Sequence, residues 1–328
     1  MRTLILVVAI FVVFESRAQE TFAEKLGFPK GARVLILHVD DVGMSWDSNQ
    51  GAINAIENGV ATSLSIMMPT PWVPGFFHYM RNHPKIDAGL HLTLTSEWTD
   101  YRWHPLSGKS VTPGLVDPEG AFWAGVAQVV EHASADEVET EIRAQIERCR
   151  AMGFEPTHLD SHMGTVFAKP EFLERYVKVG ISEKIPIMFP GGHNSLILRQ
   201  MNLGSDQAVF FRNTGKKLWD AGLPVLDDLH TLSYEWDYTN VGESDEDLRK
   251  FATGKYIETL RETKPGLTMV IMHCTAPTEV FKHISDSGKL RKGDLLAMTD
   301  PQLREFLNKE GFILTTWREV MERRSKLK

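Results

Sequence analysis

The chain has 328 residues, 42% hydrophobic and 24% charged, a balance that supports a sizeable core and excludes wholesale disorder. Its formal net charge of −7 excludes a nucleic-acid partner held through phosphate contacts, and the basic residues Arg323, Arg324, Lys326 and Lys328 read as a solvated helix end. The two cysteines, Cys149 and Cys274, are too few for a disulfide framework and are expected as buried free thiols.

In chain order, the first feature is a targeting signal. Arg2 precedes an apolar run from Leu4 to Phe14, and Ser16-Arg17-Ala18 sets small residues where a signal peptidase reads. The run is too short to span a bilayer. Residues 1–18 are therefore expected to be a cleaved signal peptide, and 19–328 one exported domain, periplasmic or secreted. Beyond it, apolar β-branched runs alternate with helical patterns. Strands are expected near Val34–Val39, Thr62–Met68, Asp87–Thr93, Thr157–Asp160, Ile185–Phe189, Leu223–Leu226, Leu267–His273 and Phe312–Thr316. Helices are expected near Trp46–Asn58, Ala135–Met152, Pro170–Ser182, Gln207–Ala221, Glu246–Thr263 and Pro301–Lys309. The clearest opens with Ser134 and Glu137, a capping box, and repeats Val138, Ile142, Ile146, Cys149 and Met152 at helical spacing. Seven or eight such units fit an α/β fold of the (β/α)-barrel type, with active-site groups at the C-terminal strand ends. The long irregular piece from Ser96 to Gly125 is expected to wall that site.

The strand ends carry unusual chemistry. The run Leu35-Ile-Leu-His-Val ends in Asp40 and Asp41, a glycine turn at Gly43 and a capping Ser45. Unpaired buried carboxylates are costly, so two of them at a strand end point to a site. Gly89-Leu-His-Leu-Thr and Thr157-His-Leu-Asp-Ser-His end other strands in histidines. By alternation, His38 and Asp40 share one face, His91 shares a face with Gly89 and Thr93, and His158, Asp160 and His162 share another. If these faces point into the barrel mouth, Asp41, His91 and His162 can converge on one divalent ion while Asp40 stays unligated.

Val39-Asp-Asp-Val-Gly-Met-Ser, Asn58-Gly-Val-Ala-Thr-Ser-Leu-Ser, Gly89-Leu-His-Leu-Thr-Leu-Thr and Pro156-Thr-His-Leu-Asp-Ser-His together resemble the YdjC-type carbohydrate deacetylase family, which is related to the polysaccharide deacetylases. The resemblance implies a distorted (β/α) barrel holding a divalent metal, Zn²⁺ or Mg²⁺, through Asp41, His91 and His162. It implies an N-acetylated oligosaccharide or polysaccharide as substrate, and by analogy with related deacetylases Asp40 is the expected general base. The alternative for Asp40 is an anchor for His91 or His162. His273, closing Leu267-Thr-Met-Val-Ile-Met, is the expected general acid. The chain departs from the family where Met163-Gly164-Thr165 replace further histidines, and where Met269 and Cys274 stand in place of a Glu and a Pro flanking His273. Asp227 or Asp228, read as ending a neighbouring strand, is the expected substitute partner for His273, with His230 the next candidate acid. Asp228 and His230 are also expected to contact substrate.

Among aromatics in segments after strand ends, Trp98 and Trp103 are the expected platform for sugar rings; Trp46, Trp72, Tyr101 and Trp123 are lesser candidates. Gly191-Gly192-His193-Asn194 lacks the tail of a phosphate-binding loop, and Thr62, Ser63 and Ser65 match no serine-nucleophile motif. The sequence thus reads as an exported, metal-dependent carbohydrate deacetylase. The alternatives are another metal-dependent barrel hydrolase, acting on an amide or a phosphoester, and a catalytically weak glycan-binding protein.

Overall fold

Strand β1 (Arg33–Val42) is the spine of the structure, a computed structural model in which residues 20–327 are described. The expected signal peptide, residues 1–18, lies outside the described residues. Ten consecutive positions rich in Val, Leu and Ile favour the extended backbone, and both faces of the strand are covered. Around it run β2 (Ser63–Ile66), β3 (Ala88–Leu92), β4 (Leu159–Ser161), β5 (Asp228–His230), β6 (Gly266–Met272) and β7 (Ile313–Leu314). The path is β4-β3-β2-β1-β6-β5, every pairing is parallel, and β7 lies beside the start of β1.

The arc continues past β4. Leu159 bridges to Ile187 and Pro190 bridges to Leu226, so residues 187–190 fill the wall between β4 and β5 by isolated bridges. This is a distorted barrel with helices outside it. The expected strands Ile185–Phe189 and Leu223–Leu226 are these bridging segments, and β5 begins later, at Asp228. The six expected helices all form, within two residues of their expected ends. Ser134 and Glu137 close the capping box of Ala135–Ala151, and Ser45 accepts the Ser48 amide at 3.0 Å to cap Trp46–Glu57. Among the helices the sequence did not announce are Val73–Asn82, which opens Val73-Pro74-Gly75, and Gly288–Met298, which carries two glycines. Among the described residues no helix is long and apolar enough to cross a membrane. Cys149 and Cys274 are buried free thiols, as expected.

Alternation along β1 divides the core. Leu35, Leu37 and Val39 pack outward with the helices, while Val34 and Ile36 pack inward with Leu267, Met269 and Ile271 of β6. The next two residues on that inward face are His38 and Asp40. The barrel interior is therefore apolar at its base and ionisable toward its C-terminal mouth. Trp317 closes the apolar layer and stacks on His158, with ring centroids 5.1 Å apart and planes 17° from parallel.

Gly89 makes that polar layer possible. A Cβ at this position would lie 2.4 Å from the His158 ring, so β3 must carry a glycine where the imidazole crosses the interior. Gly89→Ala is expected to destabilise the fold by about 1–3 kcal/mol, the usual cost of overpacking, read as a lower urea midpoint. An unchanged midpoint would show that His158 can give way.

Candidate functional site

The paired aspartates reach the mouth through a break in β1. Register with β2 is regular through Val39 and shifts before Val42, and Asp41 sits at φ 62, left-handed backbone that a non-glycine residue rarely adopts. In a regular strand Asp41 would face the helices. Here both side chains enter the same space and both residues are buried.

Asp41 Oδ1 lies 3.3 Å from His91 Nε2 and 3.2 Å from His162 Nδ1, with no aligned hydrogen-bond donor among the described residues. A buried carboxylate oxygen facing two imidazole nitrogens is a donor set for a divalent cation, and the three ligand atoms lie within 4.8 Å of one another. The other Asp41 oxygen, Oδ2, is 2.7 Å from Nη1 of Arg291, an arginine only 2% exposed. With Oδ2 so paired, Asp41 is left one oxygen for an ion.

Each histidine is oriented from behind. His91 Nδ1 faces Asp160 Oδ1 at 2.7 Å, across the β3–β4 pair in which the two residues are in register. His162 Nε2 faces both oxygens of Glu97, at 3.0 and 3.1 Å. Such carboxylates fix which ring nitrogen is offered to a metal. His38 lies below, its Nε2 2.8 Å from Asp160 Oδ2 and 3.1 Å from Asp40 Oδ1. The Ser65 hydroxyl donates to Asp40 Oδ1 at 3.3 Å and lies within 3.2 Å of both His38 and His91. Two more groupings, His38–His158–Asp160 and Asp40–His91–Asp160, could also hold an ion. In both, Asp160 is already engaged by His91 and His38, so the Asp41 set is the better fit.

The electrostatics follow from this crowding. Burial alone would push the imidazoles toward neutrality, but Asp40 and Asp160 hold His91 well above its ordinary pKa. Glu97 and Asp41 overcome burial in the same way to raise His162 to about 9, and Asp160 and Asp40 raise His38 to about 9. Burial works against the charge of Asp41, yet Arg291 and the two imidazoles hold it well below the usual carboxylate range. The cluster is negative and gathers positive charge.

His273 is brought to this mouth, with Nε2 4.0 Å from Asp40 Oδ2 and its ring edge-on to Tyr234 at 4.9 Å. Its expected partners are not. Asp227 and Asp228 stand at the start of β5, toward the opposite end of the barrel. Asp227 accepts backbone amides of Phe22, Ala23 and Leu267, and Asp228 those of Leu196 and Ile197 together with the Ser195 hydroxyl. Asp228 is fully buried by that capping role, which corrects its expected contact with substrate. His230 ends β5 but is only 1% exposed, and burial lowers its pKa to about 4, so it too presents nothing to solvent. Trp103 is likewise no open platform. It is 3% exposed, its indole N–H donates to the Thr95 carbonyl, and half-buried Trp98 packs edge-on against it. The long loop does wall the site: it supplies Glu97, and the Tyr101 hydroxyl donates to the Met44 carbonyl at 2.5 Å.

Sequence reasoning missed Asp160, Glu97 and Arg291 as site residues. Asp160 was visible as the middle of an alternating triplet. Arg291 lies on Gly288–Met298, and no local pattern ties that helix to β1.

An α/β barrel with an Asp-His-His cluster at its mouth is of the class that can hold a catalytic divalent ion. The chain belongs to the YdjC-like protein family, which it matches over residues 34–309. A carbohydrate deacetylase of Thermus thermophilus is 31% identical over 306 residues, 91% of this chain and 97% of the relative. A chitooligosaccharide deacetylase of Citrobacter koseri is 34% identical over 135 residues, 40% of this chain and 49% of the relative. A crystal structure of an Enterococcus faecalis protein to which cellobiose-phosphate cleavage is ascribed shares the fold. It matches at TM-score 0.69 and 20% identity over 88% of this chain and 99% of that one.

Ligand and orienting roles separate by metal affinity. His91→Ala and His162→Ala are expected to lose bound zinc, Asp160→Asn to weaken it about 10–100-fold, and Asp40→Asn to keep it, in a titration of protein stripped with chelator. Loss of the ion in Asp40→Asn with retention in Asp41→Asn would exchange the two aspartates.

Proposed function

We propose that the protein is an exported, metal-dependent hydrolase that removes the N-acetyl group from an amino-sugar glycan. The observation that carries this reading is the Asp41–His91–His162 cluster with Asp40 beside it, in a chain similar to a carbohydrate deacetylase along nearly the whole length of both. Asp41, His91 and His162 would hold the ion, and two imidazoles favour a zinc-like metal over magnesium. When bound, such an ion lowers the pKa of water and polarises the acetyl carbonyl.

The remaining work falls to the chain. Asp40, steadied by His38 and Ser65, would take a proton from the attacking water. Water oxygen adds to the acetyl carbon, the carbon–nitrogen bond breaks, and the leaving amine needs a proton. The surroundings of His273 argue against an imidazolium donor. Burial pushes its pKa down to about 4, and its Nδ1 has no hydrogen-bond partner among the described residues. Asp40, having gained the water proton, can return it to the amine, while neutral His273 can offer one N–H to the charge developing on the acetyl oxygen. The products are acetate and the free amino sugar.

Acetate release from N-acetylglucosamine oligomers tests the activity, and Asp40→Asn is expected to lower turnover about 10²–10⁴-fold. No acetate from any N-acetylated glycan, with the metal bound, would overturn it. The pH profile tests His273. A group already neutral above about pH 4 cannot produce an alkaline limb by losing a proton, so His273→Gln should reduce turnover about 10²–10³-fold and leave any alkaline limb in place. Disappearance of that limb in His273→Gln would return the acid role to the imidazolium.

Export rests on the apolar run from Leu4 to Phe14 ahead of Ala18. Protein recovered from a bacterial host should begin at Gln19; a cytosolic product that keeps residues 1–18 would contradict it.

A further inference from the structure

We propose that Trp46 and Trp72 form a stacking platform for a second sugar ring, so that the site takes an oligosaccharide in preference to a lone amino sugar. The proposal rests on the deacetylase reading for the class of its ligand. Its own basis is the distribution of tryptophan. Of eight tryptophans, Trp317 and Trp103 are buried and four others are partly so. The indole N–H groups of Trp103 and Trp123 donate to backbone carbonyls within the fold. Trp46 and Trp72 alone are exposed, by 50% and 42%, and they lie together with ring centroids 5.6 Å apart and planes tilted by 57°. Two large rings are thus left side by side in water, each with an apolar face open to a ligand.

Their position selects the occupant. Trp46 opens the helix that follows β1, and Trp72 precedes the helix that follows β2, so both stand at the C-terminal ends of strands, where the ionisable cluster lies. The backbone locks them to the candidate ligand loop. The Trp72 amide donates to the Gly43 carbonyl at 3.0 Å. The Asn49 side chain closes the link, accepting the Gly43 amide at 2.8 Å and donating to the Trp72 carbonyl at 3.1 Å. Gly43 is two residues from Asp41, so the platform cannot shift without the loop that carries Asp41. A pyranose presents apolar C–H faces on a rigid ring, and two indoles set at an angle offer a corner for such a body. A chain of sugars whose acetylated unit lies over Asp41 would carry its neighbouring unit onto this corner.

The test uses the mature full-length chain, with the N-acetylglucosamine monomer and trimer as probes. In the Asp40→Asn protein, calorimetry should show trimer binding weakened about tenfold by Trp46→Ala or by Trp72→Ala, as expected for loss of an aromatic contact. In the otherwise unaltered enzyme, the same substitutions should lower the ratio of trimer to monomer kcat/KM about tenfold. The two arms separate the two readings. Trimer binding that depends on these tryptophans, without acetate release, upholds the platform and removes the deacetylase. Acetate release with an unchanged trimer-to-monomer ratio and unchanged trimer affinity upholds the deacetylase and removes the platform. Failure of the parent protein to bind the trimer overturns the platform, as does a wild-type dimer abolished by Trp46→Ala with trimer affinity unchanged.

Discussion

Two adjacent carboxylates can face one cavity only if the strand that carries them breaks its alternation, and the site depends on that break. The bulge at the end of β1 costs regular pairing with β2 and sets Asp41 in left-handed backbone. It brings a second carboxylate beside Asp40 without a second strand. Gly43 then turns the chain at φ 88, and Ser45 starts the next helix at once. Arg291, inserted from Gly288–Met298, takes the Asp41 oxygen that points away from the histidines and holds the strained residue in place.

Charge balance explains the layer beneath. Asp40, Asp41, Asp160 and Glu97 crowd His38, His91 and His162 into the barrel mouth, where Arg291 is, among the described residues, the one permanently charged cation they contact. Carboxylates removed from water are tolerated only when paired, so imidazoles in such company keep protons they would otherwise release. A divalent ion can take the place of those protons, because a ligating imidazole must be neutral. The same layer positions Asp40. His38 joins Asp40 to Asp160, and Asp160 orients His91, so the proposed base and one candidate metal ligand share a buried support.

Much of this was legible in the sequence because strand alternation maps directly onto the inside and outside of a barrel. His38 with Asp40, Gly89 with His91, and His158 with Asp160 and His162 fall on inward faces as the period of two requires. The start of β5 was not legible. Leu223–Leu226 has the apolar look of a strand, so Asp227 and Asp228 read as its end; the run is a bridging segment, Asp227 precedes β5 and Asp228 opens it, and both cap distant backbone. Arg291 and Glu97 enter through tertiary packing. The exposure of Trp46 and Trp72, against the burial of Trp103, depends on how loops lie over the mouth, which composition does not encode.

If this cluster exchanges protons for one divalent cation, the proton count on binding measures the exchange. Zinc titrated into chelator-stripped protein at pH 7, by calorimetry in buffers of differing ionisation enthalpy, should bind at one ion per chain. It should release close to one proton from each of His91 and His162, whose pKa values are raised in the ion-free cluster. A binding heat independent of buffer, or no binding at all, would contradict the account.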